Sequence, residues 1–115
     1  MTEITKLQER LRAFAEQRDW KQFHSPKNLS MALIVEAAEL AEHFQWLTQE
    51  ESFNLVNEKL EAVGEELADI FVYLVRLADQ LDIDLSQAVE RKIGLNELKY
   101  PVDKVRGSAK KYNEY

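Results

Sequence analysis

Apolar residues recur every three or four positions along most of the chain, which is the spacing of one face of an α-helix. The first such stretch is predicted to end near Asp19, and its apolar face consists of Ile4, Leu7, Leu11, Phe14 and Ala15. The longest stretch is predicted to run from about Asn57, with an apolar face consisting of Leu60, Val63, Leu67, Ile70, Leu74, Leu77 and Leu81. Because strands would alternate apolar and polar residues instead, the pattern predicts an all-α fold.

Local signals mark the start of two further helical segments. Ser25 and Pro26 form a helix start, because Ser caps a first turn and Pro is tolerated at the first helical position. The helix that follows is expected to run to about Trp46. Thr48 and Glu51 have the spacing of a capping box, which predicts a short helical turn.

The C-terminal part of the chain is predicted to hold one more helix and a tail. Residues 82–86 interrupt the apolar pattern and offer caps for a helix that ends at about Lys99. Residues 102–115 are polar and basic, which predicts a C-terminal tail. Residues 1–115 together have the length of one domain. The four longer helices therefore predict a single domain that resembles a four-helix bundle.

The middles of the second helix and of the long helix are apolar nearly all round. A helix of that kind must be covered on most sides, whereas a lone bundle of this size leaves one face of each helix in water. We therefore expect these two helices to pack also against a second copy of the chain. A homodimer is the minimum expected assembly, and a dimer of dimers also fits.

Charge and composition exclude several classes of partner. The chain has 15 Lys and Arg against 21 Asp and Glu, a net charge of -6, so no nucleic-acid polymer is expected as a partner. No apolar run approaches the roughly 18 residues of a membrane span, and the N-terminus lacks a signal-peptide pattern. The chain has no Cys, which excludes disulfides and thiolate metal sites. A cytoplasmic location without membrane contact is expected.

Two acidic pairs interrupt the apolar helices. Glu36 and Glu39 form one pair, and Glu66 and Asp69 form the other. Each pair has i,i+3 spacing, which places both side chains on one face of a helix. Carboxylates in apolar surroundings need a partner, and oxygen ligands suit Mg²⁺, with Mn²⁺ as a substitute. The four carboxylates are therefore candidate metal ligands.

Other interpretations of these residues remain open at this stage. Acidic residues are abundant in the chain, so such pairs also arise by chance, and Arg76 offers Asp69 an ion pair instead. A helical scaffold whose carboxylates only form ion pairs is the alternative of a different class. Trp20 and Trp46 lie near predicted helix ends, where a ring can stack on a nucleobase. His24 precedes a cap and has a backbone hydrogen bond as its simplest role.

The order and spacing of several short segments resemble those of a known family across nearly the whole chain. The matching segments are residues 18–20, 22–24, 26 with 28–29, 36 with 39–42, 44–46, 65–67 with 69, 73–75, 92 with 96, 100–102 and 106–109 with 111–112. The family is that of the MazG-like all-α nucleoside triphosphate pyrophosphohydrolases, and the sequence is similar to its dCTP pyrophosphatase branch.

The resemblance implies Mg²⁺-dependent cleavage of a nucleoside triphosphate between its α- and β-phosphates. It implies metal ligands at Glu36, Glu39, Glu66 and Asp69. It implies aromatic walls of a base pocket at Trp20, Trp46 and Tyr73. It implies contacts to the nucleotide and its phosphates at Lys92, Asn96, Arg106, Lys111 and Tyr112. His24 matches the family pattern as well and is taken as a further substrate-binding candidate.

One departure from the pattern of the wider family favours its dCTP pyrophosphatase branch. The broad pattern begins with two adjacent glutamates, whereas Val35 precedes Glu36 here, and the dCTP pyrophosphatase branch also lacks the first glutamate.

Glu36 and Glu39 are the candidates for accepting a proton from the attacking water, and the sequence does not choose between them. The expected substrate is dCTP or a modified dCTP, with dUTP or a broader set of dNTPs as the alternative. Family members assemble as dimers or tetramers.

Overall fold

The computed structural model of the protein describes residues 3–109, and every regular element in that range is helical. The elements are α1 (Glu3–Gln17), a 3₁₀ turn (Lys21–Phe23), α2 (Pro26–Glu42), α3 (Gln49–Ser52), α4 (Asn57–Gln80), α5 (Leu85–Lys99) and α6 (Val102–Val105). The predicted all-α fold is therefore confirmed. None of these helices has the length and apolar character needed to cross a membrane.

The chain divides into two compact units between Ile83 and Asp84. The first unit contains α1 to α4. Within it α2 packs mainly against α4, and α1 also packs against α4, so α4 is the central helix. The second unit contains α5 and α6. The expectation that both units form one domain stays a prediction.

The buried core of the first unit is small. Its buried apolar side chains are Ala15, Leu29, Val63, Val75 and Ala78. Leu29 of α2 and Val75 of α4 are the largest fully buried ones. Ala15 and Ala78 are small side chains and bury little apolar surface. Much of the apolar surface of α2 and α4 is consequently left exposed.

The predicted helix starts are confirmed by their capping bonds. The Ser25 hydroxyl accepts from the Asn28 backbone N–H at 3.1 Å. Thr48 and Glu51 form the full capping box, in which each side chain accepts from the other residue's backbone N–H, at 3.1 and 2.9 Å. These bonds satisfy donors that a first turn leaves without an intrahelical partner.

The second helix ends earlier than the sequence predicts, at Glu42 rather than near Trp46. The His43 and Phe44 amides bond to carbonyls three residues back, at 3.2 and 3.0 Å. These bonds tighten the chain into turns, so the helical hydrogen-bond pattern ends although the apolar spacing continues.

The first helix ends in a tight reversal that positions the following aromatic residue. Asp19 has a φ of 54°, in the left-handed region. The Trp20 amide bonds to the Ala15 carbonyl at 2.9 Å, and the Asp19 amide bonds to the Glu16 carbonyl at 3.1 Å. This pair of bonds is a Schellman motif, with Asp where Gly is usual. It turns the chain so that Trp20 lies beside α1.

The second unit is built on α5. The Asp84 carboxylate caps it by accepting from the Gln87 amide at 3.0 Å. The helix ends at Lys99, as the sequence predicts, and the short α6 follows Pro101. α6 falls inside the segment that was expected to be a tail.

Candidate active site

Three of the four predicted metal ligands lie together where α2 faces α4. Glu36 and Glu39 are one turn apart on α2, and Glu66 reaches them from α4. One carboxylate oxygen of each lies within 4.8 Å of the others. The i,i+3 spacing on α2 and the packing of α2 against α4 produce this cluster. We call these three residues the carboxylate cluster.

Two oxygens of the carboxylate cluster are buried without a hydrogen-bond partner among residues 3–109. They are Oε2 of Glu36 and Oε2 of Glu66. His43 lies at salt-bridge range from the cluster, with its Nε2 3.9 Å from Oε1 of Glu66, beyond hydrogen-bonding distance. A buried carboxylate oxygen without a partner is costly, so the protein alone leaves this cluster incompletely satisfied.

The crowding of negative charge changes the ionisation of Glu36. A hydrogen bond with Glu66, burial, and the hydrogen bond and charge of Glu39 raise the pKa of Glu36 to about 7. The charge of Asp69 raises this pKa further. Two carboxyl groups at such close range favour a shared proton over two negative charges.

The donor set fits a hard divalent cation. The cluster offers carboxylate oxygens from two helices, and two of these oxygens have no protein donor in the described part of the chain. Oxygen ligands of this kind suit Mg²⁺ and Mn²⁺ better than they suit softer metals. A bound cation would replace the shared proton and satisfy the two buried oxygens.

Asp69, the fourth predicted ligand, lies one turn after Glu66 on α4. It is not one of the three residues whose oxygens meet within 4.8 Å in the described chain. Asp69 instead lines a cavity of about 480 Å³ between α1 and α4. Because its charge also acts on Glu36, Asp69 connects the carboxylate cluster with this cavity.

The cavity has largely apolar and aromatic walls. Its lining consists of Leu7, Arg10, Leu11, Phe14, Trp20, His24, Asp69, Val72, Tyr73 and Arg76. The Trp20 ring packs edge-on against Phe14, with 5.8 Å between centroids, and lies 6.2 Å from the His24 ring. The sequence-predicted residues Trp20, His24 and Tyr73 are therefore brought together with Asp69. We call this space the aromatic cavity.

The segment that carries Trp20 and His24 is tied to α4 and to α2. The Gln80 side chain donates to the His24 backbone carbonyl at 2.6 Å. The Asn28 side chain donates to the Phe23 carbonyl at 3.0 Å. Burial, followed by the charge of Arg76, lowers the pKa of His24, so the neutral ring is favoured. The sequence suggests that the His24 side chain bonds to the backbone, but its Nδ1 is buried without a hydrogen-bond partner among residues 3–109.

Other predicted site residues lie elsewhere or outside the described chain. Trp46 lies in the turn after α2, is 87% exposed and does not line the aromatic cavity. Lys92 and Asn96 are exposed on α5, and Arg106 follows α6, all in the second unit. The remaining two candidates, Lys111 and Tyr112, lie outside the described residues.

The sequence pattern missed several residues of the cavity wall. Phe14 is assigned to a buried core by its spacing, but it is 43% exposed and faces the cavity. Arg10 and Arg76 carry no motif that would have marked them. The ion pair shown by Arg76 is with Asp79, at 3.3 Å, rather than with Asp69. The amphipathic face of α1 was the available signal, but it does not reveal that a cavity lies against it.

These features define a helical protein with an acidic centre beside an aromatic cavity. The chain belongs to the MazG-like family, whose sequence model matches residues 31–115. The sequence resemblance to this family is thereby confirmed.

Individual relatives refine the comparison. The chain is 50% identical to bovine dCTP pyrophosphatase 1 and 45% identical to the human protein of that name, in each case over 103 residues and 88% of this chain. The chain spans 61% of the length of these curated relatives. It is also similar to a solved pyrophosphatase from Archaeoglobus fulgidus, with a TM-score of 0.82 and 39% identity over 88% of this chain and 94% of that one.

Proposed function

We propose that the chain is a Mg²⁺-dependent nucleoside triphosphate pyrophosphohydrolase that cleaves dCTP or a modified dCTP to the monophosphate and pyrophosphate. The observation that carries the proposal is the carboxylate cluster beside the aromatic cavity, with Asp69 between them. The cluster suits a cation that binds phosphates, and the cavity suits a planar base. The dCTP pyrophosphatases of cattle and human, which are similar to this chain, support the choice of substrate.

The proposed cation is held by Glu36, Glu39 and Glu66, with Asp69 as the fourth ligand. Bound Mg²⁺, or Mn²⁺ in its place, would neutralise phosphate charge and lower the pKa of a water molecule. The two buried oxygens without partners support this assignment, because coordination would remove the cost of burying them.

The protein side chains have separate tasks in the proposed reaction. Trp20 and Tyr73 bind the base by stacking in the aromatic cavity. A carboxylate of Glu36 or Glu39 accepts the proton of a water molecule that attacks the α-phosphorus in line. The bond from the α-phosphorus to the bridging oxygen breaks, and pyrophosphate leaves.

The remaining predicted contacts complete the proposal. Trp46 is proposed as a second aromatic contact to the base. The phosphate and nucleotide contacts are proposed at Lys92, Asn96, Arg106, Lys111 and Tyr112. Basic side chains among them would neutralise charge on the leaving pyrophosphate. The cytoplasmic location stays a prediction.

We further propose that the protein is a homodimer or a dimer of dimers. Large apolar residues remain exposed on one face of α2 and on α4, namely Met31, Ile34, Val35, Leu60, Leu67, Phe71 and Leu74. Contiguous apolar surface of this kind is typical of protein interfaces. A second copy covering both helices would bury this surface.

The direct test is incubation of the protein with dCTP and Mg²⁺, followed by separation of the products. dCMP and pyrophosphate in equal amounts are expected, and no product with any dNTP would favour a helical scaffold instead. Glu39→Gln should abolish turnover, whereas Glu61→Gln, an exposed residue of α4 outside the cluster, should not. A panel of dNTPs and 5-modified dCTPs at equal concentration would separate dCTP preference from a dUTP or broader specificity.

A further inference from the structure

Arg76 is an almost fully buried cation at the boundary of two cavities. Its residue surface is 4% exposed, although Arg rarely occupies such positions without a specific role. It lines the aromatic cavity and also a second cavity of about 320 Å³. The charge of Arg76 also reaches His24, whose pKa it lowers. The guanidinium group therefore belongs to the surroundings of the proposed base pocket.

A chain of ion pairs fixes Arg76 from the side of the second cavity. Its Nη1 donates to Oδ2 of Asp79 at 3.3 Å. Asp79 in turn accepts two bonds from Arg12 of α1, from Nη2 to Oδ1 at 2.6 Å and from Nε to Oδ2 at 3.0 Å. Bidentate pairs of this type restrict the geometry of both groups. Arg12 and Asp79 therefore act as positioning residues for Arg76.

The hydrogen-bonding capacity of Arg76 is only partly used. A guanidinium group offers five N–H donors and no acceptor. Its Nε is buried and has no hydrogen-bond partner among the described residues. The bond to Asp79 engages Nη1, on the other side of the group. A buried donor without a partner is costly, and an acceptor supplied by a ligand would remove that cost.

The polar lining of the aromatic cavity limits which bases it can hold. Asp69 is assigned to the cation, Tyr73 offers one hydroxyl, and the neutral His24 ring offers one donor and one acceptor. Arg10 and Arg76 both offer several donors, and of these two it is Arg76 that an ion pair with Asp79 holds in place. Cytosine presents two adjacent acceptors, O2 and N3, whereas uracil and thymine carry a hydrogen on N3. A pair of fixed donors therefore matches cytosine and meets a competing donor in uracil.

We propose that Arg76 determines the base specificity of the site by donating to O2 and N3 of cytosine, held in place by Asp79 and Arg12. This inference rests on the proposed function, because it assumes that the base occupies the aromatic cavity. It adds a specificity-determining residue on α4 and two positioning residues that do not line that cavity.

The test is the ratio of kcat/KM for dCTP to that for dUTP, measured with Mg²⁺ in wild type and variants. Arg76→Met should lower this ratio about tenfold or more, the usual worth of a bidentate base contact. Arg76→Lys, which keeps the charge but loses the fork, should recover only part of the ratio. Arg12→Met should lower the ratio less, because Asp79 still contacts Arg76.

Arg10→Met is the matched control. Arg10 lies on α1, as Arg12 does, and lines the aromatic cavity, as Arg76 does, but no ion pair to Asp79 is among its described contacts. Arg10→Met should change kcat/KM for dCTP and for dUTP by the same factor and leave their ratio near the wild-type value. If folded Arg76 variants lose kcat/KM for dCTP and for dUTP by the same factor, Arg76 has a structural role and the inference is overturned. The inference would also be overturned if the wild type hydrolysed dCTP and dUTP with the same kcat/KM. Where circular dichroism shows that Arg76→Met is unfolded, Arg76→Lys and Arg12→Met decide.

A binding experiment separates failure of this inference from failure of the proposed function. Calorimetric titration with dCMP and dUMP, without added metal, measures base preference independently of turnover. A wild type that hydrolyses no dNTP but binds dCMP more tightly than dUMP, with the preference lost in Arg76→Lys, would reject the activity and keep the inference. A wild type that hydrolyses dCTP, with a preference for dCTP over dUTP that the Arg76 variants retain, would keep the proposed function and reject the inference.

Discussion

The carboxyl groups of Glu36 on α2 and Glu66 on α4 face each other, and each buries its Oε2 atom without a hydrogen-bond partner in residues 3–109. This relationship opposes stability, because two carboxylates at close range repel each other once both are ionised. It also prepares a cation site, because the same oxygens need a positive partner. A site of this kind sacrifices stability for function.

The first prediction concerns pH and the stability of the metal-free protein. Glu36 has a pKa of about 7 in the folded protein against an ordinary value of 4.5. Between these values the folded state binds more protons than the unfolded state, so the free energy of unfolding falls as pH rises from about 4.5 to 7. Glu36→Gln removes this contribution, because Gln stays neutral. The variant should therefore gain stability over wild type as pH rises through that window.

Urea unfolding in EDTA at several pH values checks this expectation. The groups near Glu36 are Glu39, Glu66 and Asp69, with His43 beyond Glu66. Glu61→Gln, which removes an exposed carboxylate of α4, is the control and should follow the wild-type pH dependence. A constant difference between Glu36→Gln and wild type at all pH values would contradict the assigned pKa.

The second prediction concerns metal binding in the absence of nucleotide. A cation that binds the folded protein stabilises it by mass action, by about 2.7 kcal/mol at a hundred times its dissociation constant. Mg²⁺ or Mn²⁺ should raise the melting temperature of the wild type at pH 8, and EDTA should reverse the increase. Glu66→Gln should lose most of the increase, and Glu61→Gln should keep it. An equal increase in all three proteins would place the cation elsewhere.

The sequence predicted the helices and their starts well because these depend on neighbouring residues. Ser25 and Thr48 cap their helices as expected, since a cap needs only the following three residues. The end of α2 was misplaced because the apolar spacing continues past Glu42 while the backbone bonds tighten. Apolar periodicity reports which side of a segment is covered, not where its hydrogen bonds stop.

The site was predictable only in part, for a related reason. The spacing of Glu36 and Glu39 fixes their common face, and the pair of Glu66 and Asp69 in an apolar helix marked Glu66 as a candidate that the family resemblance also implied. The aromatic cavity, in contrast, depends on how α1 packs against α4 and on the left-handed Asp19 that turns Trp20 inward. The pairing of Asp79, which contacts Arg76, with Arg12 joins residues that lie 67 positions apart in sequence. No local pattern encodes such pairings.

The third prediction concerns the connection between α2 and α4. The capping box of Thr48 and Glu51 fixes α3, and the backbone and side-chain hydrogen bonds of Thr48 lower the pKa of Glu51. Thr48→Ala should reduce the free energy of unfolding by about 1 kcal/mol, the usual cost of losing an N-cap. Thr48→Ser keeps the hydroxyl and should stay close to wild type. Urea unfolding would measure both, and an Ala variant as stable as the Ser variant would show that the box contributes little.

The fourth prediction concerns self-association through α2 and α4. Met31 is 56% exposed and Leu60 is 52% exposed in the single chain. Replacing either with Glu puts a charge into the proposed interface, so sedimentation velocity should show a lower mean mass than for the wild-type oligomer. The melting temperature should also fall and lose the dependence on protein concentration that is expected of the wild-type oligomer, because oligomerisation and folding are linked. Glu61→Lys, a charge change at an exposed polar position of α4, should sediment like the wild type. A wild type that sediments as a monomer at micromolar concentration, or Glu variants with unchanged mass, would mean that these apolar faces are not covered by a second copy.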